Sequence, residues 1–61
     1  MEGEQIKKLR IKLGISQEKL AHLLGVTKLT VNRWENGKSK PSPLAIDSLE
    51  RLKSERWSIY E

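Results

Sequence analysis

Residues 17–36, QEKLAHLLGVTKLTVNRWEN, leave the chain little choice of fold. Leu20 and Leu24 are four apart, Val31 and Trp34 three apart, so each half of the stretch makes a helix with one inward face. Ser16 stands where an N-cap belongs, and Gly25 ends the first helix, Gln17–Leu24. Glycine enters left-handed backbone without a Cβ clash, as a sharply turning helix end requires. Thr27 caps a second helix reaching about Asn36, and Gly37 stops it. Ala21 lies on the inner face of the first helix. Its small side chain lets the second helix cross closely.

This is the helix-turn-helix pattern, over about a third of the chain. Counting from Gln17, a small residue falls fifth and Gly ninth. Hydrophobes fall fourth, eighth, tenth, fifteenth and eighteenth. Together with Ser16-Gln17 and Arg33-Trp34-Glu35-Asn36-Gly37-Lys38, the stretch resembles the phage-repressor and Cro (XRE-like) family of bacterial transcription regulators. The resemblance covers most of residues 4–53. It implies an all-α, lambda-repressor-like domain of four to five short helices that binds duplex DNA through its second motif helix.

Composition narrows the alternatives. Sixty-one residues suit one domain, 1–61, and a chain this short buries only about 60% of its unfolded surface. It has no Cys, which excludes disulfides and thiolate metal sites and suits a cytoplasmic protein. One His cannot build a metal centre, and nothing calls for a cofactor. MEGEQIKKLR has no apolar signal-peptide core, and no run is long enough to span a membrane. A net charge of +4 fits a polyanionic partner.

The first three residues are expected to fray. Helix 1 then covers 4–13, with Ile6, Leu9 and Leu13 in one stripe and Lys7, Lys8 and Lys12 on the wet face. Ile11 points away from the stripe. Arg10 falls beside it and needs a partner or a route to water. The family resemblance implies that it pairs with Glu35 as a structural ion pair; the alternative is water or a DNA phosphate. In helix 2, Leu20, Ala21, Leu23 and Leu24 face inward and His22 outward. A Ser16/His22/Asp47 hydrolase reading has no oxyanion loop or supporting motif, so an enzyme is not expected.

Helix 3, 28–36, divides into two faces. Thr27, Thr30, Val31 and Trp34 share one side. Lys28, Leu29, Asn32, Arg33 and Asn36 share the other, within an arc of roughly 140°. That outer face carries no acid, unlike an ordinary solvated face. Each base pair presents its own donor and acceptor pattern in the major groove, and these side chains suit it. Arg33 can take guanine O6 and N7, Asn32 adenine N6 and N7, Leu29 a thymine methyl, and Lys28 a guanine or a phosphate. The resemblance places Lys28, Leu29, Asn32 and Arg33 at base-reading positions, with Thr27 as a further candidate. The plainer alternative is that they merely meet solvent.

Phosphate contacts are expected to flank this face. Gln17 opens helix 2, where free N–H groups and the helix dipole favour an anion. The resemblance gives it a backbone contact, and Asn36, Lys38 and Lys40 the same role in the following loop. From Lys28 to Lys40 there are four cations and one acid, Glu35. Ser42 and Pro43 start helix 4, 43–54, with Ala45, Ile46, Leu49 and Leu52 inward and Asp47, Arg51 and Glu55 laddered outside. The tail, 55–61, carries Trp57, Ile59 and Tyr60. They either cover the core near Ile11 or form a homodimer contact on DNA.

The expected core is Leu9, Leu13, Leu20, Leu24, Val31, Trp34, Leu49 and Leu52. The expected function is sequence-specific binding of double-stranded DNA as a transcriptional regulator, a repressor. Two rivals share the fold. One is an antitoxin with a toxin partner, which the Pro-Ser-Pro-x-x-Ile-x-x-Leu pattern also resembles. The other is a protein-interaction module that has lost DNA binding.

Overall fold

A computed structural model describes residues 1–55. They form four helices in the order α1 (Gly3–Leu13), α2 (Gln17–Leu24), α3 (Lys28–Glu35) and α4 (Pro43–Glu55), with no strand among the described residues. The caps read from the sequence supply the bonds. Ser16 Oγ accepts from the Lys19 N–H at 3.0 Å, Thr27 Oγ1 from Thr30 at 3.2 Å and Ser42 Oγ from Ala45 at 3.2 Å. Each satisfies a helix-start donor that has no partner within its own helix.

The first three helices end in the same way. An N–H two or three places beyond the helix reaches back five residues: Ile15 to Arg10 O, Val26 to Ala21 O and Lys38 to Arg33 O. This closure needs a left-handed residue, and Gly25 (φ 73°) and Gly37 (φ 74°) provide it at the ends of the two motif helices. At the first two ends the reaching residue is apolar, and Ile15 and Val26 pack against the core. At the third it is Lys38, which is exposed. The end of α3 therefore turns its closing residue to solvent.

Ile6, Leu9, Leu20, Ala21, Val31, Trp34, Ala45 and Leu49 form the core, and among the described residues no polar or charged one is buried with them. Leu13, Leu24 and Leu52, expected inside, are half-buried and pack around its edge. Ala21 is 3% exposed, as the close crossing of α2 and α3 demands. Leu23 departs from expectation: it is exposed, because the inner face of so short a helix is filled by Leu20, Ala21 and Leu24.

The N-terminus also departs from expectation. Fraying is expected of residues 1–3, yet α1 starts at Gly3 and Met1 packs against the core. Gln5 Oε1 accepts from the Glu2 N–H at 2.8 Å, which ties down the entry to the helix. Gly3 lies against the end of α3, where a Cβ would overlap the Trp34 carbonyl oxygen. That close approach fixes α1 to the end of the helix carrying the candidate reading face. The candidate dimer contacts Trp57, Ile59 and Tyr60 lie outside the described residues.

Candidate nucleic-acid interface

Lys28, Leu29 and Arg33 project from α3 into solvent, and Leu29 is 58% exposed. Val31 and Trp34, on the opposite side of the same helix, are buried. An eight-residue helix is held here by its apolar face, while its outer face is left without intramolecular work. Thr27 is exposed at the start of α3, where its hydroxyl serves the cap and lies 2.9 Å from the Thr30 hydroxyl. Asn32 is half-buried at the edge of the outer face. Leu29 offers the exposed apolar surface that a thymine methyl suits.

Beneath this face lies an ion pair. Arg10 Nε donates to Glu35 Oε2 at 2.7 Å and Arg10 Nη2 to Glu35 Oε1 at 3.1 Å, a bidentate contact. Arg10 Nη1 also donates to the Ile15 carbonyl at 3.2 Å. The side chains of Arg10 and Glu35 are 15% and 4% exposed, so water screens the pair little. Burial by itself would raise the Glu35 pKa. Hydrogen bonds from Arg10 and Gln17, with the charges of Arg10 and Lys7, outweigh burial and hold the carboxyl below its ordinary value. The hydrogen bond to Glu35 likewise keeps the Arg10 guanidinium above its ordinary value, against the opposing effect of burial.

Gln17 holds a position the sequence did not reveal. Its Nε2 donates to Glu35 Oε1 at 3.0 Å, and its Oε1 accepts from Asn32 Nδ2 at 3.4 Å. Gln17 is half-buried at the first turn of α2, between the ion pair and α3. Asn36 Nδ2 donates to Asn32 Oδ1 at 3.0 Å. Two candidate phosphate residues, Gln17 and Asn36, are thus linked to the candidate base reader Asn32. Helical spacing accounts for the Asn32–Asn36 contact. The Gln17 contacts depend on how α2 crosses α3, which no local pattern encodes.

Lys38 and Lys40 are exposed beyond the end of α3, and Pro41 behind them is buried. Among the described residues the ion pairs are Lys8–Glu4, Arg10–Glu35 and Arg51–Asp47. None of them takes up Lys28, Arg33, Lys38 or Lys40. Glu35 is engaged by Arg10, so the surface from Lys28 to Lys40 has four cations and no unpaired acid. The hydrolase alternative finds its groups engaged elsewhere: Ser16 caps α2 and Asp47 lies 3.5 Å from Arg51. Among the described residues no cluster of three acidic, His or Cys side chains offers a metal site. No described helix is long and apolar enough to cross a membrane.

Four helices with a capped helix-turn-helix at their centre, and a basic, acid-free outer face on its second helix, define a DNA-binding regulator fold. A family model described as helix-turn-helix matches residues 6–52, and the chain belongs to this XRE-like helix-turn-helix family. It is 35% identical over 52 residues to YonR, an SPbeta prophage-derived HTH-type transcriptional regulator of Bacillus subtilis (strain 168). That match covers 85% of this chain and 48% of YonR. It is 41% identical over 50 residues to the type II methyltransferase M1.ScrFI of Lactococcus lactis subsp. cremoris, covering 77% of this chain and 13% of that enzyme. The chain therefore spans about half of one relative and a small part of the other.

Among solved structures, the P22 c2 repressor in complex with synthetic operator 9T is similar, with a TM-score of 0.78 and 29% identity. That match covers 85% of this chain and 79% of the repressor chain. Family and fold are those of DNA-binding regulators, and the likeness to the methyltransferase stops at 13% of its length.

Proposed function

We propose that the chain binds specific sequences in double-stranded DNA and represses transcription by occupying an operator. In this reading α3 lies in the major groove. Arg33, Asn32, Leu29 and Lys28 meet base edges, with Thr27 at the helix start. Gln17, Asn36, Lys38 and Lys40 hold phosphates on either side. The observation that carries the reading is the outer face of α3, basic and free of acid while the one nearby carboxylate is paired from below. The operator complex of the similar P22 c2 repressor supports it.

Two copies bound with two-fold symmetry would place their α3 helices about 34 Å apart, one turn of duplex. Binding alone supplies the regulation; no chemistry of the chain's own is involved, and the place of action is the cytoplasm. The test is selection of bound duplexes from a random pool at two salt concentrations. An enriched palindrome with half-sites one turn apart supports the reading. Binding that collapses with salt and enriches nothing refutes it and leaves only a basic surface.

A further inference from the structure

Among the described residues the exposed large apolar side chains are Ile11, Leu23, Leu29 and Leu44, and of these Leu29 alone stands on α3. It lies in the first turn, the end at which a reading helix meets base edges. Lys28 precedes it and Arg33 follows one turn on, both exposed and neither in an ion pair among the described residues. Side chains four apart on a helix start from Cβ atoms about 5–6 Å from each other, so Leu29 and Arg33 can meet neighbouring base pairs. Leucine has neither donor nor acceptor and cannot read N7, O6, N6 or N4. Its favourable partner in the major groove is a methyl group on pyrimidine C5. Thymine always carries that methyl; cytosine carries it only when methylated.

We infer that α3 reads cytosine methylation: Leu29 meets the C5 methyl of a 5-methylcytosine while Lys28 and Arg33 take the guanines around it, so methylating that cytosine raises affinity for the operator. This rests on the reading of α3 proposed above and adds to it a chemical mark on the DNA. The neighbours of Leu29 favour the modified cytosine. Lys28 and Arg33 only donate. A thymine·adenine pair offers them O4 and N7, but with the adenine N6 donor between the two. A 5-methylcytosine·guanine pair offers N7 and O6 side by side on the guanine, the arrangement a cation suits. Unmodified cytosine brings the same guanine but gives Leu29 no apolar partner. Nor does the outer face of α3 hold a carboxylate to accept from its N4. Occupancy of the operator then follows the methylation state of the duplex as well as its sequence.

The test uses the duplex enriched from the random pool. At each pyrimidine of one half-site, thymine, deoxyuridine, cytosine and 5-methylcytosine are compared, each opposite its complementary purine. Deoxyuridine and cytosine lack the methyl and keep the pairing. The proteins are the unaltered chain, Leu29→Ala, Leu29→Met and Arg33→Ala. Leu29 is 58% exposed, so its substitutions leave the core untouched. At one position 5-methylcytosine is expected to bind about four-fold tighter than cytosine, the effect of burying one methyl group, and thymine tighter than deoxyuridine by a similar factor. Leu29→Ala is expected to remove both differences. Leu29→Met, still apolar and long, is expected to keep them. Methylation that leaves affinity unchanged at every cytosine overturns the inference; if thymine still exceeds deoxyuridine, Leu29 is a thymine contact only. A methyl effect that survives Leu29→Ala overturns it too. Arg33→Ala keeps the two levels apart. If the methyl effect is missing while Arg33→Ala relaxes one base pair, the inference fails and the reading face stands. If Arg33→Ala also leaves every preference intact, the reading of α3 itself falls.

Discussion

Arg10 and Glu35 tie α1 to the end of α3 through a bidentate, largely buried contact. Removing Arg10 leaves a carboxylate buried beside Gln17 without its paired counter-charge, only the weaker influence of Lys7 remaining, so Arg10→Met should destabilise the fold by about 3 kcal/mol. Base preference should survive in the folded fraction. An unchanged melting temperature would deny the pair its structural role. Because the Glu35 pKa is lowered in the folded state, its stabilising contribution is present above the ordinary glutamate value of about 4.3 and is lost as pH falls through the folded value. Acid titration of Glu35→Gln should lack that stretch of pH dependence. On the outer face the roles divide. Arg33→Ala should cost about 1–3 kcal/mol and relax preference at one base pair. Lys38→Ala should weaken all sequences alike and flatten the salt slope by about one unit. Binding to the enriched duplex and its single-base variants at several salt concentrations separates the two, and a sequence-selective loss in Lys38→Ala would reject its role as a backbone clamp.

At the scale of elements, boundaries were legible because their causes are local. Caps at Ser16, Thr27 and Ser42 and stops at Gly25 and Gly37 depend on one or two residues each, and α2 has the limits its caps imply. What could not be read depends on distant elements meeting. Gln17 reads as a phosphate contact, and its bonds to Glu35 and Asn32 emerge only when α3 is laid across α2; Leu23 looks like core until Leu20 and Ala21 have filled the inner face. The start of α1 is the clearest case. Met-Glu-Gly reads as a loose end, and only the Trp34 carbonyl beside Gly3 shows that a glycine is needed there. This gives a prediction of definite sign. Helix propensity alone makes Gly3→Ala stabilising by about 0.5–1 kcal/mol. The overlap with backbone reverses this and should destabilise by about 1–3 kcal/mol. Thermal melting reads the outcome, at roughly 4–8 °C per kcal/mol for a domain of this size. A rise in melting temperature would mean that α1 does not depend on its close approach to α3.

For the whole molecule, a small core and a short reading face limit what one copy can do. At typical per-residue stability, 61 residues give roughly 3–9 kcal/mol, so a single loss at the core or the ion pair is a large fraction of the total. A face on which four side chains are proposed to read bases also covers few base pairs. Specificity on the scale of a genome is then expected from two copies reading two half-sites, whose separation is set by the protein rather than by the DNA. Inserting about five base pairs between the half-sites of the enriched palindrome turns one half-site to the opposite side of the duplex, since a turn takes about 10–10.5 base pairs. Affinity should fall to that of a single half-site. Inserting a full turn restores the facing but roughly doubles the separation, so a rigid pair should not recover binding. Recovery with the full turn would mean that the copies are flexibly joined. Indifference to both insertions would mean that each copy binds alone, and that selectivity rests on α3 of one molecule. The discriminating measurement is the binding curve on three duplexes that differ only in this spacing.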